Sequence, residues 1–234
     1  MKKLLMVLLS VLVVMPSDAG TLTVTPIQLF LSEKRPVTTL MLANSNDTPV
    51  LVHIRVMHWM QKQGKDYYRP TRNILAVPPI FELPPYKRQI IHFAGPKKIN
   101  AHYEQAYRIY LRGMIVEKGP QRFNSQSKVV LNASIPIFVY PEAIQRKFVW
   151  SAKWQDSQHL QLQLHNIGNV TLFTHQWQLF SANKLFSRKK QAVFSYIQPN
   201  QSQYWLIKAR QIKLPLEVRA DINGQMVRAR VQVY

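Results

Sequence analysis

The chain has 234 residues, 31 of them basic and 11 acidic, and a net charge of +20 at pH 7. It contains no cysteine, which excludes a disulfide framework and any cysteine-ligated zinc site. With 47% hydrophobic and 18% charged residues it can bury a core, and 15 prolines against 7 glycines favour strands joined by proline-containing turns.

The N-terminus reads as a signal peptide over residues 1–19. Lys2 and Lys3 precede an apolar run, Leu4–Met15, that is too short to span a bilayer, and Ser17-Asp18-Ala19 supplies small residues for cleavage before Gly20. An exported chain is therefore expected, with no stable membrane insertion. Its basic residues are spread out, with small clusters only at Lys97-Lys98 and Arg188-Lys189-Lys190. Such a field attracts anions, but the spread and the export argue against a nucleic-acid partner.

Alternating residues then predict strands in order. Gly20–Leu31 is an edge strand that changes phase at Pro26. Pro36–Ala43, Pro49–Met60, Gln89–Phe93 and Tyr103–Glu117 follow, with turns at Asn44–Asp47 and Gln61–Lys65. Ile74–Pro85 is a strand interrupted by paired prolines, and Gly119–Ser127 is a polar loop. Val129–Pro141 is the most regular stretch. Its odd positions, Val129, Leu131, Ala133, Ile135, Ile137 and Val139, are all apolar, whereas its even positions are mixed. Pro136 cannot donate to a ladder and belongs at an edge or a bulge. Two readings stand: a core strand with a proline bulge, or a strand that packs one face on its own core and lends itself to a partner.

The pattern restarts after Pro141. Strands are predicted at Lys147–Trp154, His159–Asn166, Thr171–Phe180, Val193–Tyr196, Ser202–Ile207, Leu216–Asp221 and Gln225–Tyr234. The expected architecture is all-β, with two immunoglobulin-like sandwiches in tandem: residues 20–141, a hinge over 142–145, and residues 146–234.

Enzymatic chemistry finds no foothold. The seven histidines show no convincing metal spacing, and there is no nucleophile elbow, zinc-protease motif or phosphate loop. No metal, cofactor or catalytic residue is expected. Trp150, Trp154, Trp177 and Trp205 fall in strands, as core residues do.

Several stretches resemble, in order, motifs of the PapD-like periplasmic pilus-assembly chaperones of the chaperone–usher pathway. Val77-Pro78-Pro79-Ile80-Phe81-Glu82-Leu83-Pro84-Pro85 looks like the family's proline-rich segment, with Tyr86 where glycine is usual. Gln89-Ile90-Ile91-His92 looks like its Q-x-x-R strand with histidine for arginine, and Glu104–Arg112 looks like its E-x-x-Y-R-x-x-L-R strand. Ser134-Ile135-Pro136-Ile137-Phe138-Val139-Tyr140-Pro141 is similar to the corresponding strand of the archaic, spore-coat-U-associated branch.

The resemblance implies a periplasmic, non-enzymatic chaperone that binds, folds and caps pilus subunits by donor-strand complementation and delivers them to an outer-membrane usher. It implies a subunit-binding strand carrying Val129, Leu131, Ala133, Ile135 and Ile137, and an interdomain role for Glu104. The family's carboxylate-gripping arginine and lysine are missing, because Gly20–Glu33 has no basic residue and the lysine's place falls near Pro136. Arg108 and Arg112 are the candidate anchors, with solvated surface arginines as the other reading. The free chain is expected to be a monomer or weak homodimer. Leu131→Glu and Ile135→Glu are both expected to spare folding and abolish capture. Two other classes compete: an exported structural or adhesive sandwich, such as a pilus component or carbohydrate binder, and a secreted carbohydrate-active enzyme.

Overall fold

The computed structural model describes residues 22–96, 102–115 and 129–234. The expected leader, the Lys97-Lys98 cluster and the loop Gly119–Ser127 lie outside the described residues. Those described form strands and no helix.

The first ten strands are β1 (Leu22–Thr25), β2 (Leu29–Leu31), β3 (Val37–Asn44), β4 (Val50–Lys62), β5 (Lys65–Pro70), β6 (Leu75–Val77), β7 (Ile80–Leu83), β8 (Arg88–Ala94), β9 (Gln105–Ile115) and β10 (Val129–Val139). One sheet runs β1-β3-β8-β6; the other runs β2-β10-β9-β4-β5, with β7 also on β4. Alternation decides which side chains lie between the sheets. Leu40 and Leu42, Val50, Val52 and Ile54, Ile91 and Phe93, and Tyr107, Ile109 and Leu111 are all buried in one cluster.

Prolines mark the places where the chain changes sheets. Pro26 separates β1, which pairs with β3, from β2, which pairs with β10. Pro78 and Pro79 separate β6, on β8, from β7, on β4. The stretch Ile74–Pro85 is thus two short strands in opposite sheets, not one interrupted strand, because proline withholds the ladder donor at the crossing.

Eight more strands follow: β11 (Phe148–Trp154), β12 (His159–Asn166), β13 (Leu172–Ser181), β14 (Lys184–Ile197), β15 (Ser202–Lys208), β16 (Leu216–Ile222), β17 (Gln225–Arg230) and β18 (Gln232–Val233). They form two four-stranded sheets, β15-β12-β11-β18 and β14-β13-β16-β17. A second core lies between them around Trp150, Trp177 and Trp205; the Trp150 and Trp205 rings stack at 5.6 Å.

Two strands escape the alternation rule. β5 is exposed throughout, so it has no apolar row to betray it, and it folds back on β4 through Gln63 and Gly64, both at positive φ. β14 starts at Lys184 rather than Val193. The charged run Arg188-Lys189-Lys190 is strand, paired with Gln178, Trp177 and Gln176 of β13.

Candidate functional site

The regular stretch of the sequence is β10, and its two ends are in different circumstances. Along its length it pairs antiparallel with β9, from Val129↔Met114 to Val139↔Gln105, with a bulge between Val129 and Leu131. On its other edge β2 covers only Ile137, Phe138 and Val139, in parallel. Among the described residues, no strand pairs the outer edge from Val129 to Pro136.

The odd apolar row follows the same gradient. Ile137 and Val139 are fully buried and Ile135 is 4% exposed, all within the first core. Leu131 and Ala133 are half-buried against that core, and Val129 is 43% exposed. The five residues expected on the subunit-binding strand are thus unequally placed. Ile135 and Ile137 are committed to the chain's own core, so only Val129, Leu131 and Ala133 have side-chain surface left to offer. Ile135→Glu would place a carboxylate in that core and cannot be neutral for folding. Gly113 makes room beneath Leu131: a Cβ there would sit 3.1 Å from Leu131 Cβ and 2.8 Å from Leu22 Cδ1.

The even positions of β9 build a second feature. Register places Ala106, Arg108, Tyr110 and Arg112 beside Trp59, Met57, Arg55 and His53 of β4. Near the linker this face is apolar: Trp59, Ala106 and Phe138 are buried, with Tyr140 and, from β14, Tyr196 packed on them. The Arg108 guanidinium lies 3.9 Å from the Trp59 ring centre and 5.0 Å from that of Tyr196. Among the described residues its buried Nε has no hydrogen-bond partner and no carboxylate forms an ion pair with it. Stacking on aromatic faces holds such a cation without neutralising it. Arg112 lies further out, exposed, between His53 and Asn132. The two arginines that the sequence left equal are thus distinct, one fixed between the two groups of strands and one on the open face.

Glu104 links the two groups of strands. Its carboxylate accepts from the Thr171 hydroxyl, and its backbone N–H donates to Asn169 O at 2.8 Å. Burial pushes its pKa up to about 7, against the hydrogen bonds from Thr171 and the charge of Arg146.

No sequence pattern marks the other joints. Gln61 and Gln198 exchange bonds, each backbone N–H donating to the other's side-chain oxygen at 2.9 and 2.8 Å. Asn169 Nδ2 donates to His102 O and Ala143 O, and Asn169 N–H donates to Gln145 O. Polar residues this far apart in sequence carry no periodic signal. Among the described residues, no cluster of histidine, aspartate or glutamate could hold a metal ion.

Residues 21–145 match the family of pili and flagellar-assembly chaperones through its PapD N-terminal domain. The chain belongs to that family. No curated protein matches the sequence.

Among solved structures, it is similar to the chaperone in the CsuC–CsuE chaperone–tip adhesion subunit pre-assembly complex from the archaic chaperone–usher Csu pili of Acinetobacter baumannii, at 19% identity and a TM-score of 0.65 over 92% of this chain and 99% of that one. The E. coli chaperone DraB is similar at 17% identity and 0.59, over 92% and 97%. The structure of Salmonella enterica SafA pilin with the SafB chaperone matches at 14% and 0.60, over 90% and 96%. This coverage carries the fold likeness through β11–β18, where the sequence offered no motif. Chaperones of this family are periplasmic and non-enzymatic.

Proposed function

We propose that this chain is a periplasmic chaperone that lends the outer edge of β10 to an incomplete pilus subunit and passes that subunit to an outer-membrane usher. One observation carries the reading: among the described residues no strand pairs the edge from Val129 to Pro136, while the apolar row continues along it from the core. A free edge of this length templates pairing with another chain. Backbone hydrogen bonds would supply the pairing, and Val129, Leu131 and Ala133 the apolar contacts, each fully buried Val or Leu contributing roughly 1.5–3 kcal/mol.

Arg108 is the proposed anchor for a subunit carboxylate. It is a cation held in place by two rings with a buried donor unused, which a carboxylate would satisfy with charge-assisted bonds. Arg112 would then flank the bound subunit from the open face.

Hand-over to an usher needs a surface that a bound subunit leaves free. The outward face of the β1-β3-β8-β6 sheet offers one, with Val37, Leu75, Val77 and Ile90 each more than half exposed. The proposed organisation is a leader over residues 1–19, a strand-donating domain to Pro141, a hinge over 142–145 and a second domain from 146.

Periplasmic co-expression tests the reading: the tagged chain with candidate exported β proteins, and in parallel its Leu131→Glu variant. Stoichiometric capture by the first and none by the folded second is expected. Equal capture by both would remove β10 as the donor.

A further inference from the structure

We propose that the outer face of the β14-β13-β16-β17 sheet is a docking surface for an anionic phospholipid membrane, touching its surface without insertion. Register builds the charge. Arg188 pairs with Gln178, Gln178 with Arg219, and Arg219 with Arg228, so three arginines lie in one row across four strands. At about 4.8 Å per strand the row spans about 14 Å. Lys190 adds a cation two residues along, opposite Gln176. Arg188, Lys190 and Arg219 line a shallow depression of about 530 Å³ that has no acidic residue in its wall.

The acids on this face are already engaged. Glu217 takes both Arg219 and Arg228, and the Arg228 hydrogen bond foremost holds its carboxyl below the usual range, so it stays ionised and fixes those two cations in place. Asp221 faces His175 at 3.6 Å. Arg188 and Lys190 are exposed, and neither forms an ion pair among the described residues.

Two features select a membrane over an acidic polypeptide. Three of the cations lie in a row across the strands and Lys190 lies off it, so the charge is not confined to one line. Exposed apolar side chains stand at its margins on the same side: Leu185, paired with Phe180, and Met226, paired with Asp221. Cations interspersed with exposed apolar groups suit an interface of phosphates and acyl chains. Arg188 and Lys190 are not residues of the β10 edge; β14 meets Arg108 further along, at Tyr196.

Vesicle flotation of the exported, processed chain tests this. Vesicles of phosphatidylcholine with about one third phosphatidylglycerol should carry the chain, pure phosphatidylcholine should not, and added salt should release it. The double variant Arg188→Glu/Lys190→Glu should lose at least about tenfold in binding, the share that two cations carry at an anionic surface. Lys87→Glu/Arg88→Glu, an equal charge change on the first sandwich, should stay within about twofold. Arg188→Gln/Lys190→Gln serves if thermal unfolding shows the glutamate pair misfolded. Equal loss in both pairs would reduce the effect to net charge and overturn the proposal. So would failure to bind the anionic vesicles. So, too, would binding of polyglutamate through Arg188 and Lys190 without lipid binding, which would assign the face to an acidic polypeptide.

Discussion

The two halves of β10 have the same alternation and opposite circumstances. From Ile135 to Val139 the apolar row is sealed in the core, and β2 covers the outer edge from Ile137 on. From Val129 to Ala133 the row is half-covered and, among the described residues, no strand pairs the outer edge. The sealed half fixes register, because a slip of one residue would turn Ile135, Ile137 and Val139 out of the core. The bare half inherits that register and so presents Leu131 and Ala133 in a defined phase. An edge strand usually needs blunting by charge or brevity; here the anchored end supplies order and the other end remains usable.

The largest expected effect breaks the sealed half. Ile137→Glu puts an unpaired carboxylate at a fully buried site and should cost on the order of 5 kcal/mol, seen as loss of the cooperative thermal transition. Leu131→Glu, in the bare half, should leave the melting temperature within a few degrees while capture of a subunit falls at least about thirtyfold, the equivalent of one lost apolar anchor. If both variants melt alike, the two halves are not different in kind.

Arg108→Ala removes the stacked cation on the sealed side of the sheet. Subunit capture should weaken about tenfold or more in a pull-down titration, since hydrogen bonds to charged groups contribute roughly 1.5–3 kcal/mol. Arg108→Lys should recover only part of this, because an ammonium lacks the planar stack on Trp59 and Tyr196.

Glu104 reports on the sealed end, being next to Gln105, the partner of Val139. Its folded pKa, about 7, is above the ordinary carboxyl value of 4.5. The folded state therefore favours the protonated form. The stability this contributes is full below pH 4.5 and is lost as pH rises through about 7. Glu104→Gln should abolish that slope in thermal unfolding between those limits and leave the variant on the order of 1 kcal/mol more stable at pH 8.

The smallest effect sharpens the boundary itself. Gly113→Ala would press a methyl on Leu131 and Leu22. A cost of about 1 kcal/mol in denaturant unfolding is expected, with capture weakened by displacement of Leu131.

The parts of this arrangement that were legible in the sequence are those governed by period two. β10, β3 and β12 announce themselves because a half-buried strand must alternate. The gradient along β10 was hidden because it depends on where β2 stops, which is a fact about a neighbour more than a hundred residues earlier in the chain. β5 and the first half of β14 were missed because both faces of one and the charged run of the other are wet. At the joint, the distinction between Arg108 and Arg112 required Tyr196, and the roles of Gln61, Gln198 and Asn169 required partners that no local pattern predicts.

The change of sheet between β1 and β2 has one more consequence. Had the first strand continued along β10, it would have capped that edge from end to end. Because it joins late, at Leu29 opposite Ile137, eight residues of β10 have no partner on that edge among the described residues, about 26 Å of extended backbone. The crossing at Pro26 therefore acts as a ruler. Under the proposed strand donation, its position in the sequence would set how long a strand the chain can pair with, and moving that proline by two residues would lengthen or shorten that strand by as much.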